Sequence, residues 1–245
     1  MAEIPESHPR RNSLLSRQKL VDAQKKGMLA DSALIAHGRG EAFDYLLGER
    51  SALGAVNAVK EVVSRLNAAK NPVISVNGNT VALAIEELLL LANKIGCPIE
   101  VNIYYRTPER MNALLSHIES VRASLGIDVQ ILGSEPDGLI PNLEGPRAKC
   151  CSQGILNADA ILVPLEDGDR CEALINMGKE VYVVDLNPLS RTARMATICI
   201  VDEISRAAKM MLNLDDNDLE VNPNFDANSS RESVLEEMLN ALKRN

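Results

Sequence analysis

The stretch PVISVNGNTVALAIEELLLLANKI, residues 72–95, changes its period halfway along. Pro72–Val76 is a short uncharged run rich in β-formers. Asn77-Gly78-Asn79 then supplies a turn. From Thr80 to Ile95 the apolar residues recur at helical spacing, and Gly96 stops the pattern. Strand, tight turn and amphipathic helix in succession are the first half of a βαβ unit.

The same alternation continues outward. PIEVNIYY (98–105) reads as a strand, and Thr107-Pro108 opens a helix with a capping hydroxyl and a proline at its first position. DVQIL (128–132), DAILVPL (159–165), EVYVV (180–184) and TICIV (197–201) follow as strands, with helical patterns between. Apolar strands separated by helices predict a Rossmann-like three-layer α/β/α fold with a mostly parallel six-stranded sheet covered on both faces.

Residues 1–70 read as an N-terminal helical cap. Ser13 is placed to cap a helix that stops at Gly27, a second helix starts at Asp31, and a third runs from about Ser51 to Lys70. Residues 71–213 form the α/β core. Residues 214–245 form an acidic, Asn-rich linker and a C-terminal amphipathic helix whose stripe is Val234, Leu235, Met238, Leu239 and Leu242. Truncation after Leu214 is expected to cost stability more than catalysis.

Of the 245 residues, 46% are apolar and only 2% aromatic, so the core must be aliphatic. With 26 basic against 34 acidic residues the net charge is −8, which argues against a general affinity for nucleic acid. The five cysteines contain no C-x-x-C, so neither a disulfide framework nor a zinc site is indicated. The first residues lack the apolar segment of a signal peptide, and no run is long enough for a membrane span. These features suit a cytoplasmic protein.

In an open α/β sheet ligands bind beyond the carboxyl ends of the strands, so the residues that follow each strand are the candidates. Asn77-Gly78-Asn79 is either a phosphate-binding turn or an ordinary tight connection. Arg106 lies just before a helix N-terminus. EDGDR (166–170) carries carboxylates suited either to Mg²⁺, with Asp167 and Asp169 as ligands, or to a solvated helix cap. VYVVDLNPLSRTARMA (181–196) ends a buried strand in an acid, an amide, hydroxyls and arginines. Asp185 suits a ribose hydroxyl, and Arg191 and Thr192 suit phosphate oxygens. A nucleotide is the reading of that stretch. No G-x-G-x-x-G follows a strand and no P-loop is present, which counts against a nicotinamide-dependent oxidoreductase on the same fold. Gly38 and Gly40 flank Arg39 and either break the second helix beside an anion or form a plain helical corner. The lone His37 and the Cys150-Cys151 pair read as structural. The long loop 133–152 carries Arg147.

Taken together, IPESHPR, SLLSRQKLV, LIAHGRGEAFDYLLGE, PVISVNGNTVAL, YYRTPER, LVPLEDGDRCEAL and DLNPLSRTARMA resemble the archaeal phosphopantothenate synthetases, the 4-phosphopantoate–β-alanine ligases. The resemblance runs from about Ile4 to Leu212 and leaves the tail outside it. It implies a homodimer of Rossmann-like fold. It also implies a reaction of ATP, 4-phosphopantoate and β-alanine that yields 4′-phosphopantothenate, AMP and diphosphate for coenzyme A synthesis, with Mg²⁺ as the attendant cation. Nucleotide contacts implied by it fall on Arg17, Arg39, Asp185, Leu186, Asn187, Arg191, Thr192, Glu203 and Ile204. Glu203 stands where the family pattern has Asn, so a contact there falls to the backbone. Strand-end position assigns Asn77, Asn79 and Arg106 to phosphopantoate.

Overall fold

The computed structural model describes residues 4–165 and 167–241, the side chains of Ala36 and His37 excepted. Glu166, Leu242 and the side chain of His37, which entered the sequence reading, lie outside them. Three helices come first: α1 (Arg11–Lys25), α2 (Ala33–Leu47) and α3 (Leu53–Ala68). Strand β1 (Pro72–Val76) leads through α4 (Gly78–Ile95) to β2 (Ile99–Val101), and α5 (Pro108–Leu125) leads to β3 (Ile131–Leu132). A small hairpin, β4 (Gly138–Leu139) and β5 (Lys149–Cys150), interrupts the series. Then come β6 (Ala160–Pro164), α6 (Gly168–Asn176), β7 (Glu180–Asp185), α7 (Arg191–Met195), β8 (Ile198–Val201), α8 (Ile204–Leu212) and α9 (Ala227–Ala241).

The main sheet has the order β3-β2-β1-β6-β7-β8, and every pairing within it is parallel. The chain therefore starts in the middle, runs to one edge, returns, and runs to the other. Right-handed crossovers then place α4 and α5 on one face and α6 and α7 on the other. Apart from the half-buried edge strand β3, the strands are mostly buried and mostly aliphatic: Ile74, Ile99, Leu162, Val183 and Ile200 have at most 1% of their surface exposed.

Several local expectations shift. Ser13 is not the cap of α1; the helix has begun at Arg11, and Ser13 is buried in its first turn as an acceptor for Arg10 Nη2. Helix α2 passes unbroken through Gly38 and Gly40, because its apolar contacts to the body outweigh two glycines. Helix α3, grouped with the cap in the sequence, lies on β6 and β8 and serves as a covering layer. Strands β2 and β3 are shorter than the apolar runs that announced them. Beyond β2 the chain turns outward, leaving Tyr104 and Tyr105 exposed.

The loop after β3 covers the face of β1 and β2 that lacks a helix. Its fastening is Glu100, which is buried and accepts from the amides of Cys151 (2.9 Å) and Ile155 (2.8 Å). Burial pushes the Glu100 carboxyl above the usual range. Those two amides, with Arg170 and Arg106 nearby, pull it partly back.

The acidic stretch after Leu214 is tied down rather than loose. Lys94 donates to Leu214 O (2.6 Å) and pairs with Asp216 (2.7 Å), and the Asn222 amide donates to Glu61 (3.0 Å). Helix α9 packs on α3, α2 and β8 and buries Val234 and Met238. The fit against α3 is close enough that a Cβ on Gly54 would overlap the carbonyl of Ser230 and the hydroxyl of Ser233. Gly54→Ala is thus expected to lower the melting temperature by several degrees and expose α9 to protease. A variant with wild-type melting and proteolysis would show that this seam tolerates the extra methyl.

All five cysteines are free and buried. Burial pushes the thiols of Cys97 and Cys150 up to about 12. At pH 8 their thiolate fraction is then roughly a thousandth of that of an exposed cysteine. Native protein should leave both unlabelled by iodoacetamide over times that label the urea-unfolded chain completely, as peptide mass spectrometry would read directly.

Candidate functional site

The strand order reverses between β1 and β6, and one residue spans the gap. Asn77 ends β1 in an extended conformation and caps α4, its Oδ1 accepting from the Thr80 amide (3.1 Å) and hydroxyl (3.2 Å). Its Nδ2 donates across the switch point to the carbonyls of Pro164 and Leu165, both at 3.2 Å. Leu165 is held at φ +56, a left-handed conformation that a branched side chain seldom adopts. Its carbonyl thereby faces Asn77 as β6 leaves the sheet.

Above this point opens a cavity of about 890 Å³. Asn77, Gly78 and Asn79 form its floor, with Leu165 beside them. Ile103, Tyr104, Tyr105, Arg110 and Arg147 wall one end, and Asp185–Ser190 with Thr192 wall the other. Leu29, Ala33, Ile35, Arg39 and Phe43 of the cap form the roof, and Leu235 and Met238 of α9 close the side. The tail is therefore part of the pocket wall. Its removal would open the site, so the expectation that it serves stability more than catalysis is revised.

The two ends differ in chemistry. Asp185, at the tip of β7, accepts from the Asn187 amide (3.1 Å) and the Ser190 hydroxyl (2.5 Å). Asn187 Oδ1 accepts from Leu189 N (2.9 Å), and Ser190 Oγ, capping α7, accepts from Ala193 N (2.9 Å). The loop is thus folded by its own polar groups, with Thr192 almost fully buried beneath it. At the opposite end the polar groups are guanidiniums. Arg147 donates through Nε to Asn102 (3.3 Å) and through Nη1 to Asp167 (2.9 Å), while Asn102 Nδ2 holds the backbone carbonyls of Arg147 and Lys149. Arg110 donates to the carbonyls of Tyr105 (2.6 Å) and Met28 (3.3 Å).

Of the nucleotide positions inferred from sequence, Arg39, Asp185, Leu186, Asn187 and Thr192 meet at the cavity. Four do not line it. Arg17 joins α1 to α2 through Glu41 (2.5 Å). Arg191 pairs with Asp169 (2.5 Å) and Glu172 on α6. Glu203 caps α8, accepting from the amides of Ser205 and Arg206, and Ile204 is core. Asn77 and Asn79 reach the cavity, but both side chains are engaged, Asn79 Nδ2 donating to Ala33 O (3.1 Å). Arg106 turns away to the carbonyls of Gly133 and Ser134. Asp167 and Asp169, expected as metal ligands, face guanidiniums in this structure: Asp167 caps α6 and holds Arg147, and Asp169 holds Arg191. Among the described residues no group of three or more His, Cys, Asp or Glu is placed to hold a metal.

Sequence reasoning passed over Arg110, Tyr104 and Tyr105 as site residues, although YYRTPER contains all three. It also left Leu235 and Met238 in an apolar stripe of unknown destination, and placed Arg147 only on a long loop.

Asn77→Ala should destabilise the fold by about 2–4 kcal/mol, from the lost cap and two carbonyls left without a donor. Asn77→Ser keeps a capping oxygen and removes only the bridge, so urea unfolding should place it between the two. Equal stability of Asn77→Ser and wild type would show that the bridge contributes nothing.

A family model described as phosphopantothenate/pantothenate synthetase matches residues 54–244. The 4-phosphopantoate–β-alanine ligase of Thermococcus onnurineus is 49% identical over 214 residues, covering 87% of this chain and 80% of the relative. The ligase of the same name from Thermococcus kodakarensis is 50% identical over the same shares. That of Methanospirillum hungatei is 41% identical over 248 residues, 98% of this chain and 99% of its own. The match reaches residue 244, so the tail that the sequence reading set outside the resemblance lies within the family's span.

Proposed function

Since the chain belongs to the phosphopantothenate/pantothenate synthetase family, we propose that it joins 4-phosphopantoate to β-alanine at the expense of ATP, giving 4′-phosphopantothenate, AMP and diphosphate on the way to coenzyme A. The observation that carries this reading is the single cavity whose two ends differ. One end offers a carboxylate, an amide and hydroxyls suited to a nucleoside, and the other offers guanidiniums suited to a second anion. A ligase that couples two anionic substrates needs both ends in one enclosure.

A carboxylate is a poor electrophile, and transfer of the adenylyl group to it creates a good leaving group. The carboxylate oxygen attacks the α-phosphorus of ATP and diphosphate departs. The amine of β-alanine then attacks the acyl carbon, AMP leaves, and the amine's protons pass to solvent. The chain's contribution is placement and charge. Asp185 and the loop it folds receive the nucleoside, Thr192 and the α7 N-terminus lie beside its phosphates, and Arg39 reaches over from the roof. The described carboxylates do not make a cradle for a resident cation. Mg²⁺ enters this scheme as the counter-ion of ATP, and no step is assigned to a protein-bound metal.

Arg17 and Arg191 complete the nucleotide set only by movement or by a second subunit. For Arg17 we favour the second subunit. Glu41 fixes it to α2, where Tyr45, one helical turn further along, is 70% exposed. A homodimer across this face would bring Arg17 to a neighbour's site. Among the described residues no helix is long and apolar enough to cross a membrane.

If the acyl adenylate forms first, exchange of labelled diphosphate into ATP should require 4-phosphopantoate but not β-alanine. Adding β-alanine should release AMP in step with product. Release of ADP, or full turnover without exchange, would overturn the adenylate route; no product with all three substrates would overturn the ligation itself.

A further inference from the structure

The arginines of this acidic chain are mostly matched to carboxylates: Arg17 to Glu41, Arg147 to Asp167, Arg191 to Asp169 and Glu172, and Arg206 to Asp44 and Asp202. Arg110 is an exception inside the cavity. Its two hydrogen bonds run to neutral carbonyls, those of Tyr105 and Met28, and its buried Nε–H finds no acceptor among the described residues. Burial alone depresses its pKa, with no acid to restore it. Keeping a partly desolvated guanidinium without a counter-charge is unfavourable, and such groups concentrate where a ligand supplies the charge.

We propose that Arg110 is the residue that reads the phosphate of the acyl substrate and so separates 4-phosphopantoate from pantoate. This rests on the ligation reading above and adds an orientation to it. The carboxylate must approach the α-phosphate of ATP, and the nucleoside end of the cavity lies at β7. The opposite end, at β1 and β2, is two to three strand spacings from β7, about 10–14 Å. A four-carbon acid with its carboxylate toward β7 therefore directs its far terminus, the phosphate, toward Arg110.

The surroundings suit that phosphate. A Cβ on Gly78 would lie 3.5 Å from Arg110 Nη2, ordinary contact distance, so the guanidinium sits against the start of α4, while Met28 O and Leu29 Cδ2, both at 3.0 Å, are what favour a bare backbone there. The Asn77 cap takes the Thr80 amide. The Gly78 and Asn79 amides ahead of it have no intrahelical acceptor and stand beside the same spot. Arg110 itself is fixed by its position in the first turn of α5, where Thr107 Oγ1 accepts its amide (3.3 Å) and the Tyr105 carbonyl receives Nη1. Arg106, one turn earlier in the same motif, has its guanidinium on the Gly133 and Ser134 carbonyls and is not available for the role.

The test is calorimetric titration of the intact protein with 4-phosphopantoate, pantoate and ATP, using wild type, Arg110→Gln and Arg110→Lys, with melting temperatures recorded alongside. Wild type should prefer the phosphorylated acid. Arg110→Gln should lose tenfold or more of its affinity for 4-phosphopantoate, while pantoate and ATP bind as before. Arg110→Lys should retain part of the preference, and it serves as the test variant if the glutamine form does not fold. A wild type without preference, a variant that weakens both acids equally, or a loss directed at ATP would each overturn the assignment. Binding is measured without turnover. A protein that discriminates through Arg110 yet makes no amide would sink the ligation reading alone, and one that ligates but discriminates equally in the variant would sink only this inference.

Discussion

Asn77 holds the two halves of the sheet to one another at the place where the strand order reverses. A parallel sheet built outward in both directions from its middle leaves a crevice there, because the connections from β1 and β6 depart to opposite faces. Nothing in the backbone ladder ties the chain ends together beyond the last paired residues. The Asn77 amide does so by donating to Pro164 and Leu165, while its oxygen starts α4. The same side chain thus sets the floor of the cavity, the direction of the helix behind it, and the left-handed exit of β6 at Leu165.

The cap above that floor is positioned by charge matched against charge. The cap is a set of short helices on an aliphatic body, and apolar contact alone would let it slide. The buried Asp202 at the end of β8 holds Arg206, which reaches Asp44 on α2 at 2.7 Å, and Asp202 also accepts from Ser51 (2.5 Å) at the start of α3. Burial pushes Asp202 above the ordinary carboxylate range and Arg206 partly offsets it, so the cluster is worth more as a registration device than as net stability. It fixes α2, and through α2 the approach of Arg39 to the loop 185–187.

The far end of the cavity follows a different rule. There the sheet face lacks a helix and is covered by a loop fastened on Glu100 and Asn102. That loop delivers Arg147 to the cavity with Asp167 as its partner. Arg110 arrives from the other side, on α5, with its charge uncompensated by any described carboxylate. One paired and one unpaired guanidinium at a common end give the enclosure a direction, and a substrate carrying two different anions needs a direction more than it needs affinity.

The strand–turn–helix alternation was legible in the sequence because both periods are local: the six strands of the main sheet (β1, β2, β3, β6, β7 and β8) follow from apolar runs, and α4 and α5 from capping residues within three positions. The tip of β7 was legible too, since Asp185, Asn187 and Thr192 lie within eight residues of each other and fold mainly on themselves. What the sequence could not decide were the contacts between distant segments. Whether Arg106 or Arg110 of YYRTPER faces the ligand depends on which carbonyls of residues 28, 105, 133 and 134 come near, and no spacing encodes that. Whether Asp167 and Asp169 hold a cation or an arginine depends on a loop 20 residues upstream and a helix 22 residues downstream. The apolar stripe of α9 announced a partner but not that Leu235 and Met238 would wall the cavity. Hydrophobic period and capping act over a few residues of chain, whereas a guanidinium binds whatever acceptor the tertiary fold brings within 3 Å.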